Sequence, residues 1–181
     1  MITLNLGGFR EGRLWINEKP NITMEVIDSL VESVDVSNFQ QWEEKNIVLE
    51  LFLAPRDVSN YAMLGVKYIP TDTQKLNILV NITGFNGDIL KDNIALLTDE
   101  VHMGIPQDYA SSIINTAKEK AIELKFPVGS LMFEIGAHGY VGSSKITFVI
   151  LTKVLMGLLS ENINEGLGEK LNDMVVSFLK V

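Results

Sequence analysis

The sequence predicts an α+β domain, a mainly antiparallel sheet with helices packed on one face. Three observations predict it. The first half carries short runs of β-branched and aromatic residues, cut by Gly, Pro and Asn. In the run Lys75 to Thr83, Lys and Asn fall on alternate positions, which gives one wet face and one buried face. The second half carries two helical patterns with a single strand pattern between them.

The elements follow in order. Ile2 to Leu6 alternates, Gly7-Gly8 turns the chain, and Arg13 to Ile16 returns, as a hairpin does. Residues 22 to 36 carry two periods at once. Ile22, Met24 and Val26 alternate, whereas Ile27, Leu30, Val31 and Val34 recur at helical spacing. A strand running into a short helix and one long strand both fit. Asn46 to Leu53 is a strand ended by Ala54-Pro55. Tyr61 to Ile69 is a second, ended by Pro70, and Lys75 to Thr83 is a third. Residues 84 to 88 form a loop.

A helix starts near Gly104-Ile105-Pro106. Proline suits the first turn, where its missing N–H would have no partner, and Asp108 there favours the helix dipole. Ala110, Ile113, Ile114, Ala117, Ala121 and Leu124 form its apolar stripe, and Phe126-Pro127 stops it. Leu131 to Ile135 is a strand, and Gly136-Ala137-His138-Gly139 turns the chain. Ser143 or Ser144 caps a second helix that runs to about Ser160. That helix is apolar on nearly all sides, so it belongs centrally against the sheet. Gly166 to Gly168 breaks the chain before a last amphipathic helix from Leu171 to Val181.

Composition narrows the function classes. The 181 residues suit one domain, and 46% hydrophobic against 21% charged residues excludes wholesale disorder. A net charge of −8 with no run of three basic residues argues against nucleic-acid binding, which draws on neutralised phosphates. The longest apolar stretch, Ile146 to Leu159, is too short for a membrane span and contains Lys153, so no membrane partner is expected. Cysteine is absent, which removes thiolate metal sites and thiol nucleophiles. A reducing, cytoplasmic location is expected, since no signal-peptide pattern opens the chain.

No catalytic set is legible. The two histidines are His102 and His138. His102, beside Asp99 and Glu100, reads as a surface group, and His138 as a turn residue between glycines. Neither has the further ligands that a metal site requires, and no cofactor is expected. The adjacent carboxylates Glu43-Glu44 diverge rather than meet in a cleft. The most site-like stretch is the 136–144 loop, which feeds a helix N-terminus and could aim free N–H groups at an anion. His138, Gly139, Gly142, Ser143 and Ser144 are its candidate ligand-binding residues. Gly142-Ser143-Ser144 resembles the Gly-Ser-Ser of the GHMP small-molecule kinases, whose other glycine motifs are missing here.

Three further runs carry a second resemblance. They are Ile105-Pro106-Gln107-Asp108-Tyr109, Phe126-Pro127-Val128, and Val141-Gly142-Ser143-Ser144-Lys145-Ile146-Thr147-Phe148. In order and separation they resemble domain IV of elongation factor G over residues 62–160. This implies a sheet backed by two helices, with a left-handed β-α-β crossover. Residues 1–61 then form a β-rich N-terminal part and 161–181 a C-terminal helix. The resemblance also implies ribosome contact through loops 69–74 and 136–142, taken to share one end. The family's basic tip loop is here Ile69 to Gln74, without a basic residue, and the Asp of its Val-Asp-Ser-Ser is Gly142.

The expectation is therefore a non-catalytic binding or regulatory module that meets a protein partner or itself. The alternatives are a ribosome-contacting protein and a small-ligand or phosphate-binding enzyme using the 136–144 loop.

Overall fold

A computed structural model describes residues 1–40, 42–54, 59–161, 163 and 165–180. The chain is an α+β fold with eight strands among these residues: β1 Ile2–Gly7, β2 Arg10–Ile16, β3 Val26–Val34, β4 Lys45–Phe52, β5 Tyr61–Ile69, β6 Leu76–Thr83, β7 Val101–Met103 and β8 Gly129–Gly139. The helices are α1 Gln107–Glu123, α2 Lys145–Ser160 and α3 Glu169–Phe178. The sheet order is β1-β2-β4-β5-β8-β6-β3, with β7 pairing β8 off this path. Every pair is antiparallel except β6 and β8. Those two run parallel and are joined through α1, because parallel neighbours need a crossover. One sheet runs through residue 61 without a break.

The helices pack on one face of that sheet. Ala110, Ile113, Ile114, Ala117 and Ala121 of α1 are buried there, as their spacing requires. Phe148, Leu151, Val154, Leu155 and Leu158 of α2 are wholly buried against β4, β5 and α1. Truncating any of them to alanine costs about 2–5 kcal/mol by the usual rule for large side chains. The sheet contributes Leu49, Leu64, Ile78, Val80 and Phe133 to the same core.

The opposite face is covered only in part. Residues 84–100 cross it and bring Leu90, Ile94 and Ala95 onto Trp15, Val48, Tyr61 and Met63. A bulge in β8 makes this second core possible. Gly65 pairs with Ile135 and Lys67 with Met132, so β8 carries one extra residue between them. The alternation flips there, and Ile135 joins the outer core whereas Phe133 lies in the inner one.

Several expectations change. Residues 22–36 hold one strand, β3, and no helix. Its helix-like spacing reflects an edge position, where apolar residues fall on the open side as well. Gly136, His138 and Gly139 lie inside β8 rather than in a turn, and the turn comes at residues 140–142. The last helix begins at Glu169 and ends at Phe178. Pro55, read as a strand stop, and Val181, read as the end of that helix, lie outside the described residues. No helix among them is long and apolar enough to cross a membrane.

Candidate functional site

The end of β8 and the short β7 bring the two histidines together. His102 lies directly across from His138 in the β7–β8 ladder, and their rings stack with centroids 6.0 Å apart. His138 is 0% exposed and His102 7%. Both are therefore core residues, not the turn and surface groups that their neighbours suggested. Adjacent glycines and acids are local signals, and pairing with a distant strand overrides them.

The setting of His138 is chemically lopsided. Its Nδ1 lies 3.3 Å from Gly104 O and its Nε2 3.1 Å from Phe85 O. Carbonyls only accept, and a neutral imidazole has one N–H. One ring nitrogen therefore faces a carbonyl without a proton to offer. Burial pushes the pKa of His138 down, against the two carbonyls, which raise it. Phe85 and Tyr109 close over the ring, at 4.8 and 5.6 Å between centroids. His102 Nδ1 is 2.8 Å from Gly87 O. Its Nε2 lies 2.9 Å from Glu100 Oε1, but out of line, so that buried nitrogen has no hydrogen-bond partner among the described residues.

The 136–144 loop was the predicted anion site, and the amides of Gly139, Tyr140, Val141 and Gly142 in it are already engaged. Val141 N and Gly142 N each donate to the Asp99 carboxylate at 2.9 Å. Gly139 N donates to Ser143 Oγ at 2.9 Å, and Ser143 Oγ donates to Tyr61 O at 2.5 Å. Ser144, not Ser143, is the helix cap, and its Oγ accepts from Thr147 N. Asp99 thus sits where an external anion would. The glycines follow from it, since a Cβ at Gly139 would lie 2.0 Å from Asp99 Oδ2 and one at Gly142 2.6 Å from it. The structure brings all five candidate residues into one neighbourhood. Of the five, Gly142 is bonded through its amide to a carboxylate of the chain itself.

Ser143 spends its hydroxyl on Gly139 and Tyr61, so it forms no nucleophile–base pair with His138. Glu134, the carboxylate proposed beside them, instead faces the open side of the sheet near Lys19, Lys67 and Met132. Among the described residues, no three His or carboxylate side chains converge as metal ligands do. Loops 69–74 and 136–142 do not share an end. Ile69 pairs with Ser130 at the start of β8, whereas residues 140–142 follow its finish, about 30 Å away at the usual rise per residue.

Two features escaped the sequence reading. Glu50, in the apolar run Ile47 to Leu53, is wholly buried. It pairs with Arg13 Nε at 2.5 Å and accepts from the Tyr61 hydroxyl at 2.7 Å and from Ile94 N at 3.1 Å. A lone acid inside an apolar strand was the available signal. The other feature is β3, whose Ile27 and Val31 are 66% and 62% exposed. Val31 pairs with Leu79 and Leu79 with Met132, an apolar row across the uncovered part of the sheet.

No protein-family model, curated protein or solved structure matches this chain.

Proposed function

We propose that this chain is a non-catalytic binding module that captures an extended, basic segment of a partner protein along β3. The observation that carries this reading is the free edge of β3. Among the described residues the strand is the last of the sheet and pairs only with β6. The Ser29 N–H donates to the Asp28 carboxylate; taken as an amide free of β6, it puts the donors of Val31 and Ser33 on the outward side by strand alternation. Such a row invites another strand. Residues 25–36 contain Glu25, Asp28, Glu32 and Asp35 and no basic residue. Lys118 pairs with Glu32 and Lys75 with Asp35, whereas Glu25 and Asp28 have no ion-pair partner among the described residues. That charge favours a Lys/Arg-bearing strand over a second copy, because like charges repel across a ladder.

The closed surroundings of His138 and the engaged hydroxyl of Ser143 support the non-catalytic half of the reading. The parallel pair β6 and β8 across α1, with α2 following, supports the relation of residues 62–160 to domain IV of elongation factor G as one of fold. A cytoplasmic setting, on which the absence of cysteine bears, belongs to the same proposal.

The test uses labelled peptides of alternating Lys-Val and Glu-Val and their fluorescence anisotropy. The Lys-Val peptide should bind, weaken with added salt, and lose its affinity on Val31→Pro. Proline removes an outward donor and is tolerated on an edge strand. Equal binding of both peptides, or an unaffected V31P variant, would sink the idea. A dimeric mass by light scattering that V31P reduces to the monomer would replace the basic partner with a second copy.

A further inference from the structure

At the far end of the sheet from the turn at 140–142 lies a cavity of about 300 Å³. Trp42, Tyr68 and Leu159 supply its apolar surface, and Lys45, Glu43 and Glu161 its charges. Trp42 is fixed from behind. Its ring lies 4.8 Å from Phe126 and 5.9 Å from Tyr68, both tilted contacts. Tyr68 donates its hydroxyl to Val128 O at 2.7 Å, so it offers the cavity a ring rather than a polar group.

Lys45 is the informative residue. Its ammonium has three donors, and one goes to Glu161 O at 2.7 Å, at the C-terminal end of α2. No carboxylate comes within ion-pair distance of it among the described residues, although most other lysines have such a partner. The group is partly buried, and that burial pulls its pKa down, with Glu43 and Glu161 opposing at a distance. A half-desolvated cation with spare donors and no carboxylate in contact is poorly served. A ligand carboxylate would serve it. Glu43 and Glu161 line the same cavity and would repel a ligand bearing only negative charge, so they call for a cation on the same molecule. The same cavity offers a surface of rings and leucine, Trp42, Tyr68 and Leu159, suited to a flat apolar body.

We infer that this cavity binds a small aromatic zwitterion of the α-amino-acid type. The carboxylate goes to Lys45, the ammonium to Glu43 and Glu161, and the ring to Trp42 and Leu159. The site is separate from β3, so its test stands or falls independently of the strand-capture reading.

The experiment titrates the intact protein with L-phenylalanine, phenethylamine and 3-phenylpropionate. The chain has two tryptophans, so two indole N–H signals report in a nitrogen-correlated NMR spectrum. L-Phenylalanine should move the Trp42 signal saturably and leave that of Trp15 in place. Each analogue lacks one charge and should need about tenfold more ligand for half-saturation, the change that 1.4 kcal/mol produces. Lys45→Met and Glu43→Gln should each weaken L-phenylalanine by a similar factor. Glu43 is exposed, so E43Q keeps the test sound even if K45M folds poorly. A Trp42 signal that does not move, analogues that bind as well as L-phenylalanine, or an E43Q variant that binds unchanged would each overturn the inference.

Discussion

His138 sits between opposing demands, and the balance sets a pH dependence. Two carbonyls and the nearby Asp99 favour its charged form; burial and His102 oppose it, and burial is the largest effect. The folded-state pKa therefore lies below that of the unfolded chain, near 6.5. For a base shifted downward, the stabilising contribution is complete above the unfolded value. It is lost as pH falls from there through the folded value, since the unfolded chain takes up the proton first. His138→Gln removes that titration. The unfolding free energy of the native chain should fall relative to H138Q below about pH 6.5, by up to about 1.4 kcal/mol per pH unit in the window. Urea titrations of both proteins between pH 7.5 and 5 would measure it, and a pH-independent difference would refute it. Asp99 makes a second residue-scale case. Its carboxylate holds Val141 and Gly142 through their amides. Asp99→Ala should cost about 1–2 kcal/mol, discounted for partial exposure, and should speed hydrogen exchange at those two amides.

At the scale of elements, the readable signals were those that act within a few residues. The hairpin β1–β2, the strands β4, β5 and β6, and the start of α1 after Pro106 all follow from local period and turn chemistry. Ser143-Ser144 announced a helix start but left the cap open, because both serines have the right side chain. Tertiary contact decides it. Ser143 is drawn to Tyr61 O, and Ser144 is left to cap Thr147. Ser144→Ala should therefore destabilise the protein by about 1 kcal/mol, at the usual scale for a cap, as read from chemical denaturation. In Ser143→Ala the N-terminal amides of α2 should exchange at their native rate, and the loss should appear at Gly139 N. What was not legible came from pairing across the chain. The continuation of β8 through His138 depends on β7, a three-residue strand with no periodicity of its own. The mixed period of residues 22–36 belongs to an edge strand whose apolar residues need not be covered.

At the scale of the molecule, the fold has a helix-covered core and a thinner outer core closed by residues 84–100. Glu50 ties the second to the sheet. Its carboxylate joins Arg13 on β2, Tyr61 on β5 and the amide of Ile94 in the covering segment. Arg13 reaches further to Asp92, through Oδ1 at 2.7 Å and the backbone O at 2.9 Å, and lies over Trp15. A buried acid is costly to desolvate, and here the cost is offset only while every partner stays in place. Glu50→Ala should therefore cost about 3–5 kcal/mol, as the usual penalty for breaking a buried pair, because Arg13 Nε and the Tyr61 hydroxyl lose their acceptor together. Replacing both charges with Arg13→Met and Glu50→Met should cost much less than the sum of the single changes, since no buried charge is then stranded. A double-mutant cycle by urea unfolding measures that coupling. Hydrogen exchange locates it. In E50A, the amides of residues 90–95 should lose protection before those of β4, β5 and α2, because the outer cover opens while the inner core holds. Uniform loss across both cores would mean that Glu50 stabilises the sheet as a whole rather than the cover in particular.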